Sequence, residues 1–400
     1  RLKKIKYCFI SHLHQDHWDI DTIKYLPKKT IFIIPKLKVN KIIEIQLKKL
    51  NYKNIIFVPI KKFFKIDNKY SISVVRPLNN DGLETKNIIY KNDDKEIDTG
   101  CILKIKNDNS NHLFLSDNCP YNSKSFFNDY KNIKINSVFF PFNGYANDYP
   151  FCYDSLSIRK KKNVSKEKID KLQIKLFEFF KKIKPNLVIP YSSQFTLKNK
   201  NEKIFNQIID KKFLNQKKYC NYFKKKFRFK NITYLTPKRT LYLDKNNYIV
   251  KSDNLKNIRN FNIKKLKSNF PKLNSNYNIN ELVTDLNISI NSLKVRLNKY
   301  KLNINKINQT AFFILIMDIN KIYRINFKNS NCEEIKYKKN LIKTKFKNCL
   351  ILKTNLNIIF NILNKKLHIN NCIIGFCLNW ERYPNHYNSE LYDALNFFHK

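Results

Sequence analysis

Ser11-His12-Leu13-His14-Gln15-Asp16-His17 is the stretch on which the reading of this chain turns. Only 7 His occur in 400 residues, and three of them fall within these few positions. The segment follows an apolar run, Ile5 to Ile10, and precedes a short helical stretch, which places it on a loop at the end of a strand. Imidazoles two residues apart, then a carboxylate and a further imidazole, can converge on a metal ion from such a loop. A solvent-exposed histidine run without ligand role is the competing reading, and HxHxDH spacing at a strand–helix junction weighs against it.

Outward from this loop, the first 120 residues alternate short apolar runs with turns. Ile5–Ile10, Thr30–Ile34, Ile55–Pro59, Ser71–Val75, Cys101–Ile105 and His112–Leu115 read as strands, with a helix over Lys38–Leu50. Asn118 to Ser157 reads as loop-rich. Lys166 to Ile183 is amphipathic and stops before Pro185; a strand Leu187–Ile189 follows. Ile232–Leu235 and Thr240–Leu243 look like a closing hairpin. Periodicity fades between Val250 and Ser275, so a boundary is expected there, dividing residues 1–250 from 251–400. Beyond it, helical runs Ile279–Leu286 and Ile290–Tyr300 precede strands Ala311–Met317, Ile322–Phe327 and Cys349–Leu352, with a last helix Ser389–Phe398, an α+β pattern.

Composition bounds the function classes. The hydrophobic content of 42%, with 31 Phe and 23 Tyr, excludes wholesale disorder. The longest apolar run, Ala311–Met317, is far below the roughly 18 residues of a membrane span. The 78 Lys and Arg against 31 Asp and Glu leave a formal charge of +47. Lys, Asn, Ile, Phe and Tyr are inflated together and Lys is spread along the whole chain, which fits a codon-biased surface better than a nucleic-acid-binding patch. Such a field still attracts an anionic small-molecule substrate. None of the 9 Cys forms a CxxC pair, and free thiols in a reducing cytoplasm are expected.

The HxHxDH loop resembles the metallo-β-lactamase superfamily. The resemblance implies an α/β fold, an αββα sandwich whose sheet edge carries the motif, with the α+β extension behind it. It implies that His12 and His14 serve one metal, and Asp16 and His17 a second. Asp117, which closes the strand His112-Leu113-Phe114-Leu115-Ser116, fits the superfamily's bridging Asp. The sequence departs from the pattern at two places. Asp98 stands before a strand where a third His is expected, and Tyr191-Ser192-Ser193 follows Pro190 with no final His. A carboxylate-richer site is harder and favours iron or manganese over zinc. His112 lies within a strand and reads as structural.

The motif together with Ile97-Asp98-Thr99, Ser116-Asp117-Asn118-Cys119, Phe142 to Phe151, Pro190-Tyr191 and Ile374-Gly375-Phe376 through Arg382-Tyr383-Pro384-Asn385 to Leu391 is similar to the CMP-N-acetylneuraminate hydroxylase family. That resemblance implies a non-haem iron hydroxylase acting on a CMP-sialic-acid-like nucleotide sugar. One or two divalent ions serve it, with iron favoured and zinc or manganese as alternatives. The paired Cys and His spacing of the family's Rieske domain is not found in this sequence, so the expectation is that the domain precedes Arg1, that a separate protein is the electron donor, or that the chain does different chemistry. Strands before the motif are expected to precede Arg1. Asp16 and Asp117 are the expected catalytic carboxylates; hydrolysis of a phosphoester, lactone or amide is the alternative chemistry. Tyr145, Asp148 and Tyr149, in a polar-aromatic loop, are the expected substrate contacts. Trp18 either walls the site or packs beneath it, Cys119 reads as a small core residue, and Trp380-Glu381-Arg382 as a cap or self-association segment.

Overall fold

Tyr7–Phe9 (β1), Ile31–Pro35 (β2) and Ile55–Val58 (β3) form a parallel sheet in the order β1-β2-β3, with helices Ile20–Lys24 (α1) and Lys41–Lys49 (α2) as crossovers. This is a computed structural model, and it describes residues 4–13, 17–37, 40–77, 98–118, 120–121, 123–142, 148–191, 202–235, 239–244, 247–252, 278–299, 304–336 and 345–400. The chain is mixed α/β and divides into two compact units: residues 1–144, 168–194 and 210–259, and residues 145–167, 195–209 and 260–400.

In the first unit, a six-stranded sheet runs in chain order: Phe63–Lys65 (β4), Tyr70–Val75 (β5), Gly100–Ile105 (β6), Ser110–Phe114 (β7), Ser137–Pro141 (β8) and Leu187–Tyr191 (β9). Strands β4 to β7 are antiparallel neighbours; β7, β8 and β9 are parallel. The alternation of side chains along β2 explains how the two sheets are used. Ile33 joins Val58, Ile72, Val74 and Cys101 in one buried cluster, which seals the small sheet against β5 and β6. Phe32 and Ile34 point the other way, into a cluster with Ile23, Ile43, Leu47 and Tyr52 from the α1 and α2 region. On the large sheet, Phe140 of β8 meets Phe180 at 5.0 Å and Tyr219 at 6.2 Å. Those two rings belong to helices Ile158–Ile183 and Gln216–Phe227. Burying rings of this size supplies roughly 1.5–3 kcal/mol each.

The second unit is built on the sheet β14-β13-β12-β15-β16, formed by Ala311–Ile316 (β12), Lys321–Asn326 (β13), Asn331–Ile335 (β14), Cys349–Thr354 (β15) and Asn379–Tyr383 (β16). Arg239–Asp244 (β10) and Asn247–Ser252 (β11) form a separate hairpin. The stretch around Cys152 and Asp154 extends the β16 edge: the Trp380 N–H donates to the Cys152 carbonyl at 2.8 Å, and the Asp154 N–H to the Trp380 carbonyl at 2.9 Å. Among the described residues no helix is long and apolar enough to cross a membrane.

Several local expectations are corrected. The stretch expected to be loop-rich contains a helix, Lys124–Asp129, capped by the Ser123 hydroxyl, and the whole of β8. Ile232 bridges to Val188 beside β9, and the hairpin lies at β10 and β11 instead. The two helical runs near residue 290 are one helix, Ile279–Lys299, because no breaker separates them.

Candidate metal centre

The site is assembled from the ends of three strands of the first unit. After β1 the chain runs through Ser11 and His12; His17 precedes α1, whose first N–H groups are capped by the Asp19 carboxylate. Trp18 is buried in the cluster with Ile10, Ile23 and Phe32, so it packs beneath the loop and anchors His17 from below. Asp98 and Thr99 lead into β6. The Thr99 hydroxyl donates to the Ser11 carbonyl at 2.6 Å, tying the start of β6 to the histidine loop. Gly100 is needed there: a Cβ would lie 2.7 Å from the Phe114 carbonyl oxygen. Ser116 and Asp117 leave the end of β7, held by the Leu115 N–H on the Phe139 carbonyl at 3.0 Å and the Asn118 amide on the Arg76 carbonyl at 2.6 Å.

These ends converge. His12 Nε2 is 3.3 Å from an Asp98 carboxylate oxygen and 3.9 Å from one of Asp117. His17 Nε2 is 3.1 Å from Asp117. The two imidazoles lie 4.2 Å apart, and donor atoms of His12, His17 and Asp117 all fall within 4.8 Å of one another. His12 is fully buried, while the Asp117 side chain is 42% exposed, so the cluster opens on the Asp117 side. Two imidazoles and a carboxylate within reach of one another, with Asp98 beside His12, suit a divalent cation, which takes mixed N and O donors and neutralises the acidic side. His12, His17, Asp98 and Asp117 are the described residues that would hold it. His14 and Asp16 lie outside the described residues, as do Tyr145 and Cys119.

Other residues singled out in the sequence have partners of their own. Asp148 is buried in the second unit, where its carboxylate accepts the Trp380 indole N–H at 2.7 Å. The Tyr149 hydroxyl accepts from the Asn385 amide at 2.9 Å, and its ring lies 5.0 Å from the Arg382 guanidinium. Trp380 and Glu381 are fully buried in β16, in the interior of that unit. His112 is buried between the hydroxyls of Ser110 and Ser137, at 2.9 and 2.8 Å, and burial lowers its pKa. None of the eight described cysteines is in a disulfide; burial raises the Cys101 thiol to about 12 and the Cys8 thiol to about 11, which keeps them protonated.

Four residues acquire a place that sequence reading did not assign: Ser11, Thr99, Ser116 and Tyr191. Tyr191 ends β9. Burial, with the nearby Asp117 carboxylate adding to it, pushes its pKa well up. The signal in sequence was position alone: each stands beside a ligand candidate or at a strand end.

No protein-family profile and no curated protein sequence matches the chain. Among solved structures, it is similar to CmlA, a diiron β-hydroxylase from Streptomyces venezuelae, at 14% identity over 56% of this chain and 43% of that one, with a TM-score of 0.37. It is similar to isothiocyanate hydrolase from Delia radicum gut bacteria at 14% identity, covering 62% and 77% of the two chains, with a TM-score of 0.37. A possible metal-dependent hydrolase from Veillonella parvula gives 12%, 58%, 73% and 0.37 in the same order. The chain spans less than half the length of the β-hydroxylase structures. At such low identity and score, function is argued from the site itself.

Proposed function

We propose that the chain is a metal-dependent enzyme of the metallo-β-lactamase superfamily, holding one or two divalent ions on His12, His14, Asp16, His17, Asp98 and Asp117. The observation that carries this reading is the meeting of His12, His17, Asp98 and Asp117 from three separate strand ends. The two buried clusters on opposite faces of β2, and the aromatic contacts of β8 with its helices, support the αββα sandwich.

Within this reading the enzyme is a non-haem iron hydroxylase acting on an anionic, CMP-sialic-acid-like substrate. The carboxylate at position 98 supports it, because oxygen donors favour iron over zinc. An ion held there supplies Lewis acidity and, as iron, redox chemistry. The chain's own residues divide the remaining work. His12, fully buried, holds its imidazole in one orientation. Asp117, the more exposed carboxylate, faces the open side and accepts a proton at its outer oxygen. Tyr191 stays a neutral phenol through burial and beside Asp117.

The test is metal content by mass spectrometry on the purified protein, paired with oxygen uptake in the presence of CMP-sialic acid and a reductant. Bound iron with substrate-dependent uptake is expected. Stoichiometric zinc, no uptake and turnover of a phosphoester or lactone would replace the hydroxylase with a hydrolase. A protein that retains no metal after loading and dialysis would remove the metal centre altogether.

A further inference from the structure

We propose that Ser11 and Ser116 are positioning residues: a pair of hydroxyls that joins the Nδ1 atoms of His12 and His17 and sets which ring nitrogen of these imidazoles carries the proton. The proposal rests on reading the cluster as a metal centre, and it concerns the side of each imidazole that faces away from the carboxylates.

Ser11 Oγ lies 3.0 Å from His12 Nδ1 and 3.0 Å from Ser116 Oγ. Ser116 Oγ lies 3.2 Å from His17 Nδ1. The two serines are 105 positions apart in sequence. The contacts form a chain, His12–Ser11–Ser116–His17, of three hydrogen bonds, and Ser11 Oγ also lies 3.5 Å from His17 Nδ1. Each bond needs one hydrogen, and each hydroxyl owns only one. Two hydroxyl hydrogens cannot serve three bonds, so at least one imidazole must donate through Nδ1–H. A neutral ring that carries its proton on Nδ1 presents a lone pair at Nε2. In both rings Nε2 is the atom that faces Asp98 or Asp117. The hydroxyl pair therefore makes at least one imidazole ready to bind a cation, before any cation arrives.

A second observation lies in the backbone. Ser116 has φ 52°, the left-handed region that residues with a side chain seldom occupy. Glycine would take this conformation without steric cost, yet the position carries the hydroxyl that completes the chain. The same turn delivers Asp117 to the cluster.

This backbone supplies a clean test. Ser116→Gly removes the hydroxyl while relaxing the turn, so the variant should fold at least as well as the parent. Ser11→Ala removes the other hydroxyl, and Ser11→Thr restores one. The first measurement is 15N NMR of the histidine rings in the metal-free protein, above the range where imidazoles protonate. At least one of His12 and His17 should show the Nδ1–H tautomer in the parent and in Ser11→Thr. In Ser116→Gly and Ser11→Ala the rings should shift toward Nε2–H. The second measurement is affinity for zinc(II), and for iron(II) without oxygen, by chelator competition. Loss of either hydroxyl should weaken binding about 10- to 100-fold, as for other outer partners of metal-ligating histidines, and Ser11→Thr should recover most of it. Two Nε2–H rings in the parent would overturn the proposal, as would unchanged tautomers and affinity in both deletion variants. A parent that binds neither metal but shows the Nδ1–H ring would overturn the metal-centre reading and leave the hydroxyl link standing.

Discussion

Asp98 and His112 show how differently two polar side chains of one sheet can be used. Asp98 sits where the common pattern has an imidazole, 3.3 Å from His12 and with only 16% of its side chain exposed. Asp98→Ala should lower metal affinity by at least the roughly 10- to 100-fold typical of outer-shell losses, since a direct ligand counts for more, with little change in the denaturation midpoint. Asp98→His should move the preference from iron toward zinc, read as the ratio of the two metals bound in competition. His112, by contrast, is clasped by two serine hydroxyls and kept neutral by burial. Its folded pKa lies below the unfolded value near 6.5. Above that value neither state is charged and the site contributes fully. As pH falls below it, the unfolded chain takes up a proton that the folded one refuses, so stability declines until the folded pKa is reached. Urea titrations from pH 8 to 5 should show this decline, and His112→Asn should flatten it.

At the scale of elements, the separation of β6 and β7 sets the distance between the two carboxylates. Gly100 begins β6 against the backbone of Phe114 and Leu115, with no room for a methyl group. Gly100→Ala should destabilise the protein by about 1–3 kcal/mol, the usual range for overpacking, measured by chemical denaturation. It should also lower metal affinity, because the strand ends carrying Asp98 and Asp117 are forced apart. An Ala variant with unchanged stability would show that the strands have slack there. The strands themselves were readable from alternating or continuous apolar runs. The helix Gln216–Phe227 escaped notice because Lys occupies most of its outer face and the inward Tyr219, Cys220 and Phe223 are too few to stand out.

At the scale of the molecule, the second unit is closed by residues from far earlier in the chain. Lys353 is paired with Asp154 at 2.8 Å and with the fully buried Glu381, whose carboxylate also accepts from the Tyr383 hydroxyl at 3.2 Å. Removing one member of such a buried pair strands the other charge. Lys353→Met should cost about 3–5 kcal/mol, and Lys353→Met with Glu381→Leu should recover most of it; denaturant melts of both variants decide this. By the same reasoning a chain of residues 251–400 alone would lack the backbone partners of Trp380 at Cys152 and Asp154. It should show no cooperative unfolding transition, and a sharp one would mean that segment 145–167 is dispensable.

What the sequence determined by itself was the periodicity of the strands around the histidine loop and the chemical type of the cluster, because both are written in residues close together in the chain. Asp98 and Asp117 could be singled out from their places at strand ends. Three matters were decided only by tertiary structure. Ser11 and Ser116 became partners because β1 and β7 end side by side. Tyr191 came near Asp117 because β9 lies in the same sheet as β7. Asp148 and Tyr149 went to Trp380 and Arg382, because the segment that carries them pairs with a strand more than two hundred residues away. Hydrogen bonds and ring contacts act over a few ångströms in space, and one-dimensional spacing holds no record of which distant strand ends will share that distance.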